Sequence, residues 1–251
     1  MSNVFEGSFR SHSLKKHTHL TVIFPARLPE SGKWPTLYLL HGIGGDHRSW
    51  LNLTSIARYA DEAGIAVVCP DAEHSFYSNM VYGKPYYTYI AEELPAYCRT
   101  MFPLSDDPKQ TYIAGLSMGG YGALKVAIRN PENYAAVGCF SGCVDLRSVP
   151  QEQYPIPANE LVGVFGDGIA GEDDVMLLTS KAARNKVALP PIYLTCGLSD
   201  ELYPQTQRYR QQLDFLRVPY VYDEWPGGHE WDFGIAVYGI SYNLSENKVR
   251  V

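Results

Sequence analysis

The sequence predicts an α/β fold with a mostly parallel central sheet, helices on both faces and one irregular insert. Short apolar, β-branched runs alternate with helical periodicity along most of the chain, which is typical of strands buried on both faces. A length of 251 residues suits one large domain. The stretch 144–174 breaks the alternation, because it contains three prolines, four glycines and no clear period.

The elements follow in order from these patterns. The chain opens with an antiparallel hairpin of two predicted strands, 7–14 and 19–25. Later strands are predicted at 36–40, 65–70, 111–114, 135–140, 192–196 and 220–224. Helices are predicted at about 50–63, 86–101 with a kink at Pro95, 118–129, 175–185, 204–216 and from Trp231 onward. We expect residues 1–251 to form a single domain, in which 144–174 is either a lid or a surface excursion.

Composition excludes several classes of function. The net charge of −6 is not offset by any basic cluster, which argues against a nucleic acid or an anionic membrane as partner. Apolar runs are only as long as strands, so we expect no membrane association and a cytoplasmic protein. The five cysteines are expected to be buried reduced thiols. We expect no metal site and no cofactor, and homo-oligomer formation stays open.

The stretch 111–131 is the most informative part of the chain. An apolar run meets Gly115-Leu116-Ser117-Met118-Gly119 and passes directly into a helical pattern that ends at Asn130-Pro131. A serine between a strand and a helix, flanked by glycines, is typical of a nucleophile held in a sharp turn. The following helix presents free N–H groups and a positive dipole end to an oxyanion. The alternative is a glycine-rich turn whose serine merely caps the helix.

A serine nucleophile needs a base, and His229 is the one histidine that follows Ser117 in the chain. It lies in a glycine-rich turn after the last predicted strand, although a histidine in such a turn can also be purely structural. Asp200, which closely follows the strand 192–196, is the predicted acid that orients His229. Three other acids compete for that role: Glu201, Asp223 and Glu224.

The oxyanion hole requires two backbone donors. One should be the Met118 N–H, directly after the nucleophile. The other should come from the glycine-rich loop after strand 36–40, where the Ile43 N–H is the best candidate and His41 is expected to order the loop. A tyrosine-rich stretch follows the strand 65–70, and about half of its rings should belong to the core. The candidate substrate-binding residues are His41, Gly42, Phe76, Tyr77 and Trp231.

Together these motifs resemble the esterase D group of α/β-hydrolases over nearly the whole chain. The resemblance is carried by residues 39–42, 115–123, 197–200 and 228–231. It implies a catalytic triad of Ser117, Asp200 and His229, with Met118 and Ile43 as oxyanion donors. It also implies a serine carboxylesterase that hydrolyses small short-chain acyl esters through an acyl-enzyme. S-formylglutathione hydrolase, feruloyl or acetyl-sugar esterase, acyltransferase and an inactive hydrolase-like binding module are the alternatives.

Overall fold

The computed structural model describes residues 2–148 and 156–231 of the chain. Its strands are β1 Asn3–Ser11, β2 Lys16–Phe24, β3 Thr36–Leu40, β4 Ala66–Pro70, β5 Thr111–Leu116, β6 Ala136–Phe140, β7 Ile192–Gly197 and β8 Tyr220–Trp225. Its α-helices are α1 Ser49–Leu53, α2 Ile56–Ala63, α3 Tyr86–Thr88, α4 Leu94–Met101, α5 Met118–Arg129, α6 Ala158–Phe165, α7 Val175–Arg184 and α8 Tyr203–Leu216. No helix in this part of the chain has the length and hydropathy needed to cross a bilayer.

The eight strands form one sheet in the order β1-β2-β4-β3-β5-β6-β7-β8. The β1–β2 and β2–β4 pairs are antiparallel, and every pair from β4–β3 to β7–β8 is parallel. The predicted fold class is therefore confirmed. Because β3, β5, β6, β7 and β8 run in one direction, the loops that follow them meet at the same edge of the sheet, where ligands of such folds bind.

The core lies on both faces of the sheet, and the side chains of β3 divide between them with the period of two that a strand dictates. Leu37 and Leu39 pack with α1 and α2 on one face. Tyr38 and Leu40 face the larger core, which is covered by the helices α3 to α8. All five cysteines are buried and unpaired, which confirms the expectation of reduced thiols.

Four predicted elements need correction. The first hairpin begins earlier than expected, because β1 pairs with β2 from Asn3 to Ser11. The helix predicted at 50–63 is two helices, since Thr54 is extended and its side chain bonds to Trp50 O and Ile56 N–H. A threonine hydroxyl that bonds to nearby backbone groups competes with the helical ladder and interrupts it.

The helical run 86–101 is continuous but contains a π-helical turn, Tyr89–Glu93, just before Pro95. Proline has no N–H to donate, and the Leu94 N–H reaches back five residues to Tyr89 O. The insert 144–174 is not wholly irregular, because it contains α6. The predicted helix beyond Trp231 falls outside the described residues.

Candidate active site

Ser117 occupies the sharp turn between β5 and α5, with φ 58° and ψ −118°. A positive φ is strained for any residue with a Cβ, and such strain persists only where the surroundings enforce it. Three hydrogen bonds do so here. The Ser117 N–H donates to Phe140 O at 2.8 Å, and its carbonyl accepts from Tyr121 N–H at 3.1 Å and Cys143 N–H at 3.4 Å. The side chain is thereby held at the sheet edge, partly exposed.

Glycine is required on both sides of this turn. A Cβ on Gly115 would lie 2.4 Å from the Gly119 carbonyl carbon, and one on Gly119 would lie 2.3 Å from Leu40 O. Both contacts are with backbone, which has little freedom to move. The Gly-x-Ser-x-Gly pattern therefore reflects close packing of α5 on β3 and β5 as well as the needs of the turn.

We expect Gly119→Ala to lower the free energy of unfolding by about 3 kcal/mol or more, because the new methyl group would press on the β3 backbone. Gly163→Ala in α6 is the matched control, since a Cβ there would meet nothing within 4 Å. That change should raise stability by about 0.5–1 kcal/mol through helix propensity alone. Urea denaturation midpoints measure both effects, and equal midpoints would contradict this account of the turn.

Asp200 is held at the end of β7 by a set of hydrogen bonds. Its side chain is fully buried. Oδ1 accepts from the Leu202 N–H at 2.7 Å, and Oδ2 accepts from the Ser141 hydroxyl. Both oxygens lie near His229 Nδ1, at 3.2 and 3.0 Å. Burial raises the pKa of Asp200, but the hydrogen bonds from His229, Ser141 and Leu202 outweigh it and hold that pKa below its ordinary value.

His229 is brought to Asp200 by the pairing of two loops at the sheet edge. The Leu198 N–H donates to Trp225 O at 2.9 Å and the Ser199 N–H to Gly227 O at 2.8 Å. Burial lowers the pKa of His229, whereas the hydrogen bond and charge of Asp200 raise it more, so the net shift is upward. The His229 side chain is 27% exposed, and its Nδ1 is directed at Asp200.

The structure thus brings Asp200 and His229 together. Of the three competing acids, Glu201 is exposed and its charge adds to the upward shift of the His229 pKa, whereas the other two have other partners. Asp223 accepts from the Tyr193 hydroxyl at 2.7 Å, and Glu224 accepts from those of Tyr203 and Tyr222. Among the hydrogen bonds of the described residues, none joins the Ser117 hydroxyl to the His229 imidazole.

The loop after β3 lies directly against Ser117. A Cβ on Gly42 would be 3.4 Å from both Leu116 O and Ser117 Cβ. His41 orders this loop: its Nδ1 is 2.7 Å from Gly42 O and its Nε2 accepts from the Ala72 N–H at 3.0 Å. Burial lowers the pKa of His41. In the described part of the chain, neither the Ile43 N–H nor the Met118 N–H donates to another protein group, so both predicted oxyanion donors are free.

Three of the five predicted substrate-binding residues need correction, because their side chains are buried. Phe76 and Tyr77 are 1% and 0% exposed, and the Tyr77 hydroxyl donates to His41 O at 2.8 Å. Their rings support the loops from within and offer no surface to a substrate. His41 is equally buried, at 1%. Trp231 packs edge-on against Trp50 at a centroid distance of 5.2 Å, and Gly42 lies directly beside Ser117.

Sequence analysis missed two polar residues that shape the site. Ser141 directly follows β6 and bonds to Asp200, so the rule applied to the other strand ends would have found it. Lys125 carries no such signal, because helical lysines are usually exposed. Its Nζ is fully buried and donates to Asp173 Oδ1 at 2.8 Å and Phe76 O at 3.0 Å. Burial lowers the pKa of Lys125 to about 8, although Asp173 opposes this shift.

A sequence model of the Esterase family, described as "Putative esterase", matches residues 11–233. The chain belongs to this family. An acetyl esterase of Caldicellulosiruptor saccharolyticus is 32% identical over 250 residues, which cover 92% of this chain and 93% of that protein. The family and this relative make the protein a carboxylic ester hydrolase of the esterase D-like group.

Solved structures agree with the family. The esterase resembles FphF of Staphylococcus aureus, a fluorophosphonate-binding serine hydrolase, with a TM-score of 0.89 and 29% identity. That match covers 97% of this chain and 98% of the other. The S-formylglutathione hydrolase FrmB of Staphylococcus aureus gives a TM-score of 0.86 and 30% identity, over 97% of this chain and 99% of the other. The protein is therefore an α/β serine hydrolase in fold and class.

Proposed function

We propose that this esterase hydrolyses short-chain acyl esters through Ser117, His229 and Asp200, by way of an acyl-enzyme and without a cofactor. The observation that carries the proposal is the hydrogen-bonded Asp200–His229 pair, at 3.0 Å, on the same sheet edge as the strained Ser117. A buried carboxylate, an imidazole with one nitrogen directed at it and a serine between strand and helix are the parts that acyl transfer needs.

In the proposed first step, Ser117 Oγ attacks the ester carbonyl carbon while His229 Nε2 takes the hydroxyl proton. Asp200 holds Nδ1–H and stabilises the imidazolium that forms. Catalytic hydrogen bonds of this kind are often long until the Michaelis complex forms, and the mechanism requires Ser117 Oγ and His229 Nε2 to lie within hydrogen-bond distance in that complex.

The tetrahedral intermediate carries a negative charge on the former carbonyl oxygen. The Ile43 and Met118 N–H groups, which have no acceptor among the described residues, are the proposed donors to it. Met118 begins α5, so the helix dipole adds to their effect. As the intermediate collapses, the imidazolium gives its proton to the leaving alcohol. Water, activated by His229, then releases the acyl group as a carboxylic acid and restores Ser117.

The acetyl esterase relative supports an acetyl or similarly short acyl group. A second candidate function is S-formylglutathione hydrolysis, supported by the likeness to FrmB at 30% identity. The two differ in the leaving group, which is an alcohol in one case and the thiol of a charged tripeptide in the other. Hydrolysis of a feruloyl or acetyl-sugar ester, and transfer of the acyl group to an alcohol, are further reactions that the same site can be assayed for.

Labelling by a fluorophosphonate probe tests whether Ser117 is the nucleophile. A panel of substrates tests which acyl groups are preferred. Mass spectrometry should place a single adduct on Ser117, as expected when a serine hydroxyl is activated by an adjacent base. The p-nitrophenyl acetate and butyrate esters should be cleaved faster than the octanoate, S-formylglutathione or methyl ferulate. An adduct on another residue would overturn the mechanism, and fastest turnover of S-formylglutathione would favour the second candidate.

A further inference from the structure

A cavity of about 570 Å³ opens beside the loop that carries the proposed oxyanion donor Ile43. Its volume lies within the range of small-molecule sites. Three segments wall it: the loop after β3, the segment between β4 and α3, and α6 of the insert. The lining residues are Gly44, Gly45, Asp71, Glu73, His74, Ser75, Met80, Tyr82, Glu160 and Gly163.

The position of the cavity fits the leaving group of an ester better than its acyl part. Gly44 and Gly45 line it and directly follow Ile43, so the cavity adjoins the place proposed for the substrate carbonyl. Its volume is far larger than a two-carbon acyl group needs. Three carboxylates are among its lining residues, and a short acyl chain has no group that would bind to them.

The wall between β4 and α3 is held in a strained conformation. Glu73, Phe76 and Tyr77 all have positive φ, between 49° and 51°. Strain of this kind needs support from the surroundings, and it is concentrated at ligand sites. This support comes from α5, where the buried Lys125 donates to Phe76 O and to the Ser78 hydroxyl.

The charges that line the cavity are mostly negative. Asp71, Glu73 and Glu160 contribute carboxylates, and no lysine or arginine is among the lining residues. Glu73 is neutralised by its ion pair with Lys16. Glu160 accepts from His74 Nδ1 at 2.8 Å, a bond that also ties α6 to this wall. Asp71 Oδ1 accepts from the Glu73 N–H at 3.3 Å and lies 3.9 Å from His41 Nε2, which carries no proton because it accepts from the Ala72 N–H.

We propose that this cavity is the leaving-group subsite of the esterase and that it selects alcohols carrying an ammonium group over neutral and anionic ones. The inference rests on the proposed function. Asp71 and Glu160 supply the attracting charge. Tyr82, which is 73% exposed, presents an aromatic ring at the cavity, and an alkylammonium group can lie over the face of that ring. An anionic leaving group such as glutathione meets repulsion from the same carboxylates.

Three thioacetates that differ in charge test the preference, and the released thiol is measured by its reaction with a chromogenic disulfide. They are S-acetylthiocholine, its neutral carbon isostere with a tert-butyl group, and S-acetyl-3-mercaptopropionate. We expect kcat/KM for the cation to exceed that for the neutral thioester by about 10-fold. A partly screened interaction between one carboxylate and one ammonium group at close range is expected to give a ratio of about this size. The anion should react more slowly than the neutral ester, and added salt should reduce both differences.

Glu160→Gln and Asp71→Asn keep the shape of each side chain and remove its charge. Each should lower the cation-to-neutral ratio by about 3-fold or more, and the ratio cancels any general change in activity. Glu132→Gln removes an exposed carboxylate that is not among the lining residues, and should leave the ratio unchanged.

The outcomes separate this inference from the proposed function. A wild-type ratio near one, or a ratio that falls equally in Glu132→Gln, would overturn the leaving-group subsite while leaving ester hydrolysis intact. Failure to cleave even the neutral thioacetate and p-nitrophenyl acetate would instead overturn the proposed function itself.

Discussion

Ser117→Ala should reduce kcat for p-nitrophenyl acetate by about 10⁶-fold, because the proposed acyl-enzyme forms on the Ser117 hydroxyl. The residual rate should reflect only the oxyanion donors and substrate binding. Folding should be unaffected, since alanine keeps the Cβ and the three backbone hydrogen bonds that hold residue 117 in its turn. Steady-state kinetics measures the loss, and thermal unfolding checks that the variant remains native.

Ser199→Ala is the matched control for this variant. Ser199 lies at the same sheet edge and is exposed. Its backbone N–H donates to Gly227 O, and this bond is kept when the side chain is changed to alanine. Its activity should stay close to that of the wild type. If Ser117→Ala retained most of the esterase activity, or if both variants lost it equally, the assignment of Ser117 as nucleophile would be wrong.

The fold was predictable because its signals are local. Buried parallel strands give continuous apolar runs, and α5 is marked by glycines at 115 and 119 that the packing requires. Strand ends also located two of the candidate residues, since Ser117 and Asp200 lie within a few residues of the ends of β5 and β7, and Ser141, which was missed, directly follows β6. The catalytic roles of the predicted residues stay predictions.

What the sequence could not show depends on contacts between distant segments. Phe76 and Tyr77 lie after β4, where an aromatic can face a substrate or the core, and the fit of Tyr77 against Gly122 directs it inward. Lys125 is buried because Asp173, at the end of the insert, is there to receive it. Such a pairing leaves no mark in the residues around Lys125. The apolar spacing of Leu161, Val164 and Phe165, by contrast, is a local signal for α6 that was not recognised, because 144–174 was interpreted as having no period.

The second large effect is expected from Asp200→Asn, which should lower kcat by about 10⁴-fold. Asparagine has nearly the same shape, but its amide carries no charge to stabilise the His229 imidazolium. Its NH2 group also donates to Nδ1, which places the histidine proton on Nε2 and leaves no base for Ser117. The Ser141 and Leu202 donors would face one neutral amide in place of a carboxylate.

Asp223→Asn is the matched control, because Asp223 was a competing acid in the sequence and bonds to the Tyr193 hydroxyl. Its kcat should remain near the wild-type value. A large loss in Asp223→Asn with little loss in Asp200→Asn would reverse the assignment of the acid.

The pH dependence of kcat/KM gives an independent test of the same pair. His229 is active as a base when it is unprotonated, so activity rises with pH through its pKa in the free enzyme. Asp200 raises that pKa, which places the wild-type midpoint above the ordinary value of about 6.5. In Asp200→Asn the raising hydrogen bond and charge are gone while burial, which lowers the pKa, remains. The residual activity should therefore rise at a lower pH than in the wild type, and an unmoved midpoint would mean that Asp200 does not act through His229.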